Sequence, residues 1–162
     1  MEPNIEVRSI GQFQASDHVY AIKINQAFRA GLTGLSGFSH LQVLWWGNLV
    51  DTPAHRDRLL EKKPYTSGPG TVGVFATRSQ YRPNPILVTT VEVLHLNLNE
   101  GIIDIPYTDA EDGSPILDLK PYHLYERVKD CRVPAWCQHW PAWYEDAAGF
   151  NWQKEFNFLQ EG

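Results

Sequence analysis

The chain has 162 residues, 43% of them hydrophobic and 12% aromatic, which is one domain's length and enough to bury a core without disulfides or metals. That composition excludes a disordered or fibrous protein, and a formal charge of −5 argues against coating nucleic acid or DNA by bulk electrostatics, though not against a local basic groove. No run of about 18 apolar residues is present, Met1 is followed by acidic and polar residues, and Cys131 and Cys137 are the only cysteines. These features predict a cytoplasmic protein with two reduced structural thiols and no membrane span.

In chain order, "HVYAIKI" (18–24) alternates in the manner of a strand with one face on a core. "NQAFRAGLTGLSG" holds one short helical turn before its glycines break the chain, and "SHLQVLWW" (39–46) is apolar enough for a largely buried strand. Asp51 or Thr52 caps a helix beginning at Pro53, and residues 54–63 are expected to make roughly three turns resting on Leu59 and Leu60. Residues 71–76, 86–94, 101–107 and 116–119 complete a set of short strands, with turns at Asn97–Glu100 and Asp112–Gly113.

Strands at this spacing, without regular long helices, predict a mainly β protein: an antiparallel or mixed β-barrel with short helices over residues 1–122. Residues 123–162 change character, carrying four of the six tryptophans, and are expected to bury them against the barrel or a dimer partner. No G-x-G-x-x-G follows a strand, no histidines stand at metal-ligand spacing, and no G-x-S-x-G elbow is present.

The most informative stretch is "TRSQYRPNP" (77–85). Pro83 and Pro85 fix their own φ and push Arg82 and Asn84 toward extended backbone, so the loop is stiff. Arg78 and Arg82 then form either a fork-like anion clamp or the surface arginines of a proline-rich strand connection. In "DGSPILDLKPY" (112–122), Asp112 either satisfies a turn or accepts from ribose hydroxyls. Trp45 and Trp46 face opposite sides of their strand, so either both are core, which is the simpler expectation, or one is core and the other covers a flat ligand or a cation.

The run "GVFATRSQYRPNPI", with "LTGLSGFSHLQVLWW" (32–46) before it and "DGSPILDLKPY" after it, resembles the signatures of the TsaA-like family, also called TrmO, in order and spacing. The resemblance implies a β-barrel methyltransferase that uses S-adenosylmethionine on N6 of threonylcarbamoyladenosine beside the tRNA anticodon. It also implies a homodimer with a cofactor site built from loops. Family contacts to the cofactor carry over to Arg82, Asn48, Asp112, Gly113, Ser114 and Pro115.

Arg78, Tyr81 and Asn84 are the candidates for catalysis, and Arg78, Lys120 and Arg127 for the RNA. An aromatic face, from Tyr81, Trp45 or Trp46, is expected to steady the sulfonium. The family's corner continues R-P-N-P-I-G-x-S, whereas this chain has Ile86, Leu87, Val88 and Thr89, and the family's Gln-Pro-Gly loop near the N-terminus has no match. These departures keep two alternatives open: a non-catalytic binding module on the same scaffold, or a methyltransferase for another small molecule or RNA.

Overall fold

A computed structural model describes residues 5–17 and 19–159. Readings that fall on residues 1–4, on His18 and on 160–162 lie outside the described residues. The chain divides into two compact units, Met1–Thr52 with Asn84–Arg127, and Pro53–Pro83 with Val128–Gly162.

The first unit is a seven-stranded sheet. Its strands are β1 (Gly11–Ser16), β2 (Val19–Ile24), β3 (His40–Trp46), β6 (Ile86–Glu92), β7 (His95–Asn97), β8 (Ile102–Ile105) and β9 (Pro115–Pro121). They lie in the order β6-β3-β9-β1-β2-β8-β7, and every pairing is antiparallel. The mainly β class expected from the sequence is what forms, but the barrel does not: β6 and β7 are two separate edges and the sheet stays open.

Period-two burial explains why these segments pair as they do. Leu41, Val43 and Trp45 of β3 are buried while Gln42, Leu44 and Trp46 are only half-buried, so the strand commits one face to the core rather than both. Phe13, Ile22, Ile24, Val91, Ile103, Ile105 and Ile116 join them in a single cluster. The indole of Trp45 meets Phe13 edge-on at 5.8 Å and donates to Thr89 Oγ1 at 2.9 Å, so its one polar atom is satisfied inside the core. Gly11 admits no side chain, because a Cβ there would lie 2.3 Å from the carbonyl oxygen of Lys23 on the paired strand.

The second unit contains α1 (Pro53–Arg56) and a two-stranded ribbon of β4 (Leu60–Lys62) and β5 (Thr71–Gly73). The expected three-turn helix over 54–63 is therefore corrected to a single turn followed by a strand. Leu59 and Leu60 are 56% and 63% exposed; the positions three and four residues away on either side are His55, Arg56, Asp57, Lys62, Lys63 and Pro64, so no apolar stripe forms to bury a longer helix.

The Trp-rich segment is built of 3-10 turns and packs on this ribbon's own loop. Tyr65 stacks on Trp136 at 4.7 Å, with Trp140 and Phe156 at 5.5 and 5.7 Å, and Tyr65 bridges Phe156 in antiparallel fashion. Glu155 accepts from Trp140 Nε1 at 3.0 Å and pairs with His139 Nε2 at 2.9 Å. Residues 53–83 group with residues 128–162, so the compact units do not divide at residue 122.

Candidate functional site

Three of the motif segments meet at one end of the seven-stranded sheet. Asn48 follows β3, Asn84 precedes β6, and the Asp112–Pro115 turn leads into β9. Register brings them together: Trp46 lies opposite Ile86, and Trp45 opposite Ile116. Gly47 N donates to Pro85 O at 2.8 Å, tying the segment after β3 to the proline corner.

The Asp112–Pro115 turn is pinned to β1. Gly113 N donates to Phe13 O at 2.9 Å, Phe13 N to Ser114 O at 3.0 Å, and Ala15 N to Asp112 Oδ1 at 3.0 Å. Gly113 has φ +77, and no atom lies within 4 Å of where its Cβ would stand. The turn thus combines a left-handed residue with open space beside its backbone, the arrangement that lets a ligand approach main-chain groups closely. Asn48 and Asn84 are exposed at this end, and Ser114 is buried beneath it.

Lys120 and Arg127 lie elsewhere. Lys120 pairs with Gln42 on β3, and Tyr122 N donates to His40 O at 3.0 Å, which puts both at the opposite end of the sheet. Five residue steps from Pro115 to Lys120 separate this end from the motif end by roughly 17 Å at about 3.3 Å per strand residue. Lys120 Nζ holds Asp118 Oδ2 at 2.8 Å, and that bond raises the lysine's pKa above its ordinary value.

Arg78, Tyr81 and Arg82 belong to the second unit. The guanidinium of Arg82 turns onto its own loop: Nη2 donates to Val74 O and Thr77 O, both at 2.8 Å, and Nε is buried without a hydrogen-bond partner among the described residues. Thr77 Oγ1 donates to Val74 O and accepts from Ser79 N, and Ser79 Oγ accepts from Tyr81 N. The loop is a chain of short-range bonds with Arg82 at its centre, while Arg78 is exposed.

Tyr81 has rings and charge on it already. His55 lies 4.7 Å from its centroid and Arg58 Cζ 5.4 Å. Arg58 in turn holds the buried Glu61, which also accepts from Ser79 Oγ. Tyr65 sits near this group, its hydroxyl pKa raised by burial first and then by Cys137 and Glu61, with Arg82 opposing.

Of the two tryptophans, Trp45 is core, and the half-buried Trp46 donates from Nε1 to Asp51 Oδ2 at 2.9 Å. The sequence raised Arg58 as a cation able to converge with Arg78 and Arg82 but did not single out His55 and Glu61 around Tyr81, nor the rings of Phe38 before β3 and of His123 and Tyr125 after β9. The run "YHLYER" carried the latter signal, as aromatics interleaved with a basic residue. Among the described residues no three His, Cys, Asp or Glu side chains gather as a metal-holding group, and no helix is long and apolar enough to cross a membrane.

An open antiparallel sheet of this order, with loop motifs collected at one end, defines the class of fold. The crystal structure of TrmO from P. aeruginosa shares it, with a TM-score of 0.64 and 23% identity over 83% of this chain and 62% of that one. The chain belongs to the family described as the tRNA-methyltransferase O N-terminal domain, whose model matches residues 11–126. A probable S-adenosyl-L-methionine-binding protein of Pyrococcus horikoshii is 38% identical over 75% of this chain and 83% of its own length. The tRNA (adenine(37)-N6)-methyltransferase of Escherichia coli is 36% identical over 78% of this chain, which spans 53% of that enzyme.

Proposed function

We propose that the chain is an S-adenosylmethionine-dependent methyltransferase acting on N6 of the adenosine beside the tRNA anticodon, with the threonylcarbamoyl-modified base as acceptor. One observation carries the reading: the register of β3, β6 and β9 collects Asn48, Asn84 and the Asp112–Pro115 turn at one end of the sheet. The names of the relatives, an S-adenosyl-L-methionine-binding protein and a tRNA adenine methyltransferase, supply the chemistry.

The residues present suit such a cofactor. The open backbone at Gly113, the exposed Asp112 carboxylate and the exposed Asn48 amide offer donors and acceptors for a ribose and an adenine edge. The bound cofactor supplies an activated methyl group on a sulfonium, so the protein's task is alignment rather than strong base catalysis. In this reading Asn48 and Asp112–Pro115 hold the cofactor, Asn84 orients the reacting groups, and Arg82 acts by fixing the loop that carries Arg78 and Tyr81. Arg78, Lys120 and Arg127 serve the RNA backbone, and the protein works as a homodimer in the cytoplasm.

Calorimetry with S-adenosylmethionine on the wild type and on Asn48→Ala tests the cofactor half. Binding by the wild type, weakened about tenfold in the variant, a loss of ~1.4 kcal/mol, is the expected result. Absence of heat at millimolar cofactor overturns the reading and leaves the scaffold as a binding module. Mass spectrometry of tRNA nucleosides from cells with and without the gene tests the acceptor, and unchanged modified adenosines remove the tRNA assignment.

A further inference from the structure

At the sheet end opposite the collected motifs, the methyltransferase reading uses only the cations Lys120 and Arg127 and leaves the surface between them unassigned. A cavity of about 370 Å³ opens there, lined by Phe28, Leu32, Leu35, Phe38, Asp118 and Pro121 among others. From its wall a row of rings runs outward: Phe38 meets His123 edge-on at 5.2 Å, and His123 stacks on Tyr125 at 5.4 Å with only 18° between planes. Tyr125 is 83% exposed and the neighbouring Leu124 76%.

The row is held in place. His123 N donates to Glu126 Oε2 at 2.6 Å, closing a capping box over the Leu124–Glu126 turn, and Tyr122 N is bonded to His40 O on β3. Three rings arranged in series by backbone bonds, with the last one in solvent, expose aromatic surface that folding alone would bury.

We propose that this end of the sheet is a binding site for an unstacked nucleobase of single-stranded RNA, which stacks on Tyr125. The inference rests on the RNA reading given under the proposed function. Aromatic rings in a row are sequence-tolerant platforms for base faces. Lys120, whose Nζ is held by Asp118 Oδ2, and Arg127 are exposed on either side of the ring segment, and Arg127 supplies the positive charge that a flanking phosphate requires. An apolar peptide would use the cavity but not a stacked ring pair with cations beside it. The seven-residue β9 sets this end roughly 20 Å from the motif end at about 3.3 Å per residue, a span that a folded RNA loop bridges, so the base bound here is a different nucleotide from the acceptor.

The test is fluorescence anisotropy with a labelled anticodon stem–loop RNA, on the wild type, Tyr125→Ala and Tyr125→Trp, with single abasic nucleotides placed in turn around the RNA loop. Tyr125→Ala is expected to weaken binding about tenfold, equivalent to ~1.4 kcal/mol, while Tyr125→Trp stays within about twofold of wild type. One abasic position should reproduce the loss and add nothing to Tyr125→Ala. S-adenosylmethionine binding by calorimetry should be the same in all three proteins, since Tyr125 is far from the motif end.

Wild-type RNA affinity in Tyr125→Ala overturns the inference and leaves the proposed function standing, as does a loss shared equally by every abasic position. Failure of the wild type to bind the stem–loop overturns both. A shift of Tyr125→Ala from dimer to monomer in sedimentation, with the abasic series flat, assigns the rings to a second copy of the chain instead.

Discussion

Arg82 shows how one side chain divides between chemistry and architecture. Its Nη2 satisfies two carbonyls of its own loop, and a charged donor to a backbone oxygen is worth about 1.5–3 kcal/mol. Arg82→Ala should therefore lower stability in urea by about 3 kcal/mol. Arg82→Lys should recover part of it, because an ammonium can still reach one carbonyl without reproducing the fork. If instead Arg82→Ala unfolds at the wild-type urea midpoint, the loop does not depend on it. The prolines made the loop's stiffness legible, since they constrain φ directly; the inward turn of Arg82 was not, because backbone stiffness does not choose a rotamer. Glu155 yields a pH prediction on the same scale. His139 and then Trp140 hold its carboxyl below the usual 4.5. A depressed folded value means its contribution is complete above pH 4.5 and is lost as pH falls through the lower folded value. Tryptophan fluorescence of the wild type should stay flat down to pH 4.5 and change below it, whereas Glu155→Gln should start from the altered signal and lose that acid step.

At the scale of elements, alternation with β-branched or aromatic residues announced β2, β3, β6, β8 and β9, while β1, β4 and β7 were not legible. "GQFQAS" carries only Phe13 as a strong strand former, and it forms a strand because β2 and β9 flank it on both sides, a tertiary override of weak local preference. Its opening residue makes the point testable: a Cβ on Gly11 would overlap Lys23 O, so Gly11→Ala should destabilise the sheet by about 3 kcal/mol through overpacking. Thermal melts of Gly11→Ala and of a control such as Gly31→Ala, where nothing lies within 4 Å, separate a steric cause from a general loss of glycine. The length of β9 explains why the motif "DGSPILDLKPY" did not reveal its own geometry. Eleven contiguous residues look like one site in sequence, but a seven-residue strand among them carries Asp112 and Lys120 to opposite ends. Strand rise, not residue spacing, decides which motif members share a site.

For the whole molecule, the spacing of its strand patterns foretold a mainly β fold, but not that residues 53–83 group with the aromatic tail into a unit of their own, because that grouping is written in long-range ring contacts such as Tyr65 with Trp136. Those contacts carry no local period for a sequence pattern to display. Net charge is the other property of this scale, and it bears directly on RNA binding. At −5 the molecule repels a polyanion at long range, so association must rest on a few local cations rather than on a general positive field. Counterion release then fixes the salt dependence: for single-stranded RNA the logarithmic slope is about −0.7 per neutralised phosphate, so contacts through Arg78, Lys120 and Arg127 give about −2. A titration of the stem–loop RNA across ionic strength should return that shallow slope, and Lys120→Gln should reduce its magnitude by about 0.7. A slope several times steeper would mean that a broad basic surface binds the RNA. That result would place the RNA on residues other than these three.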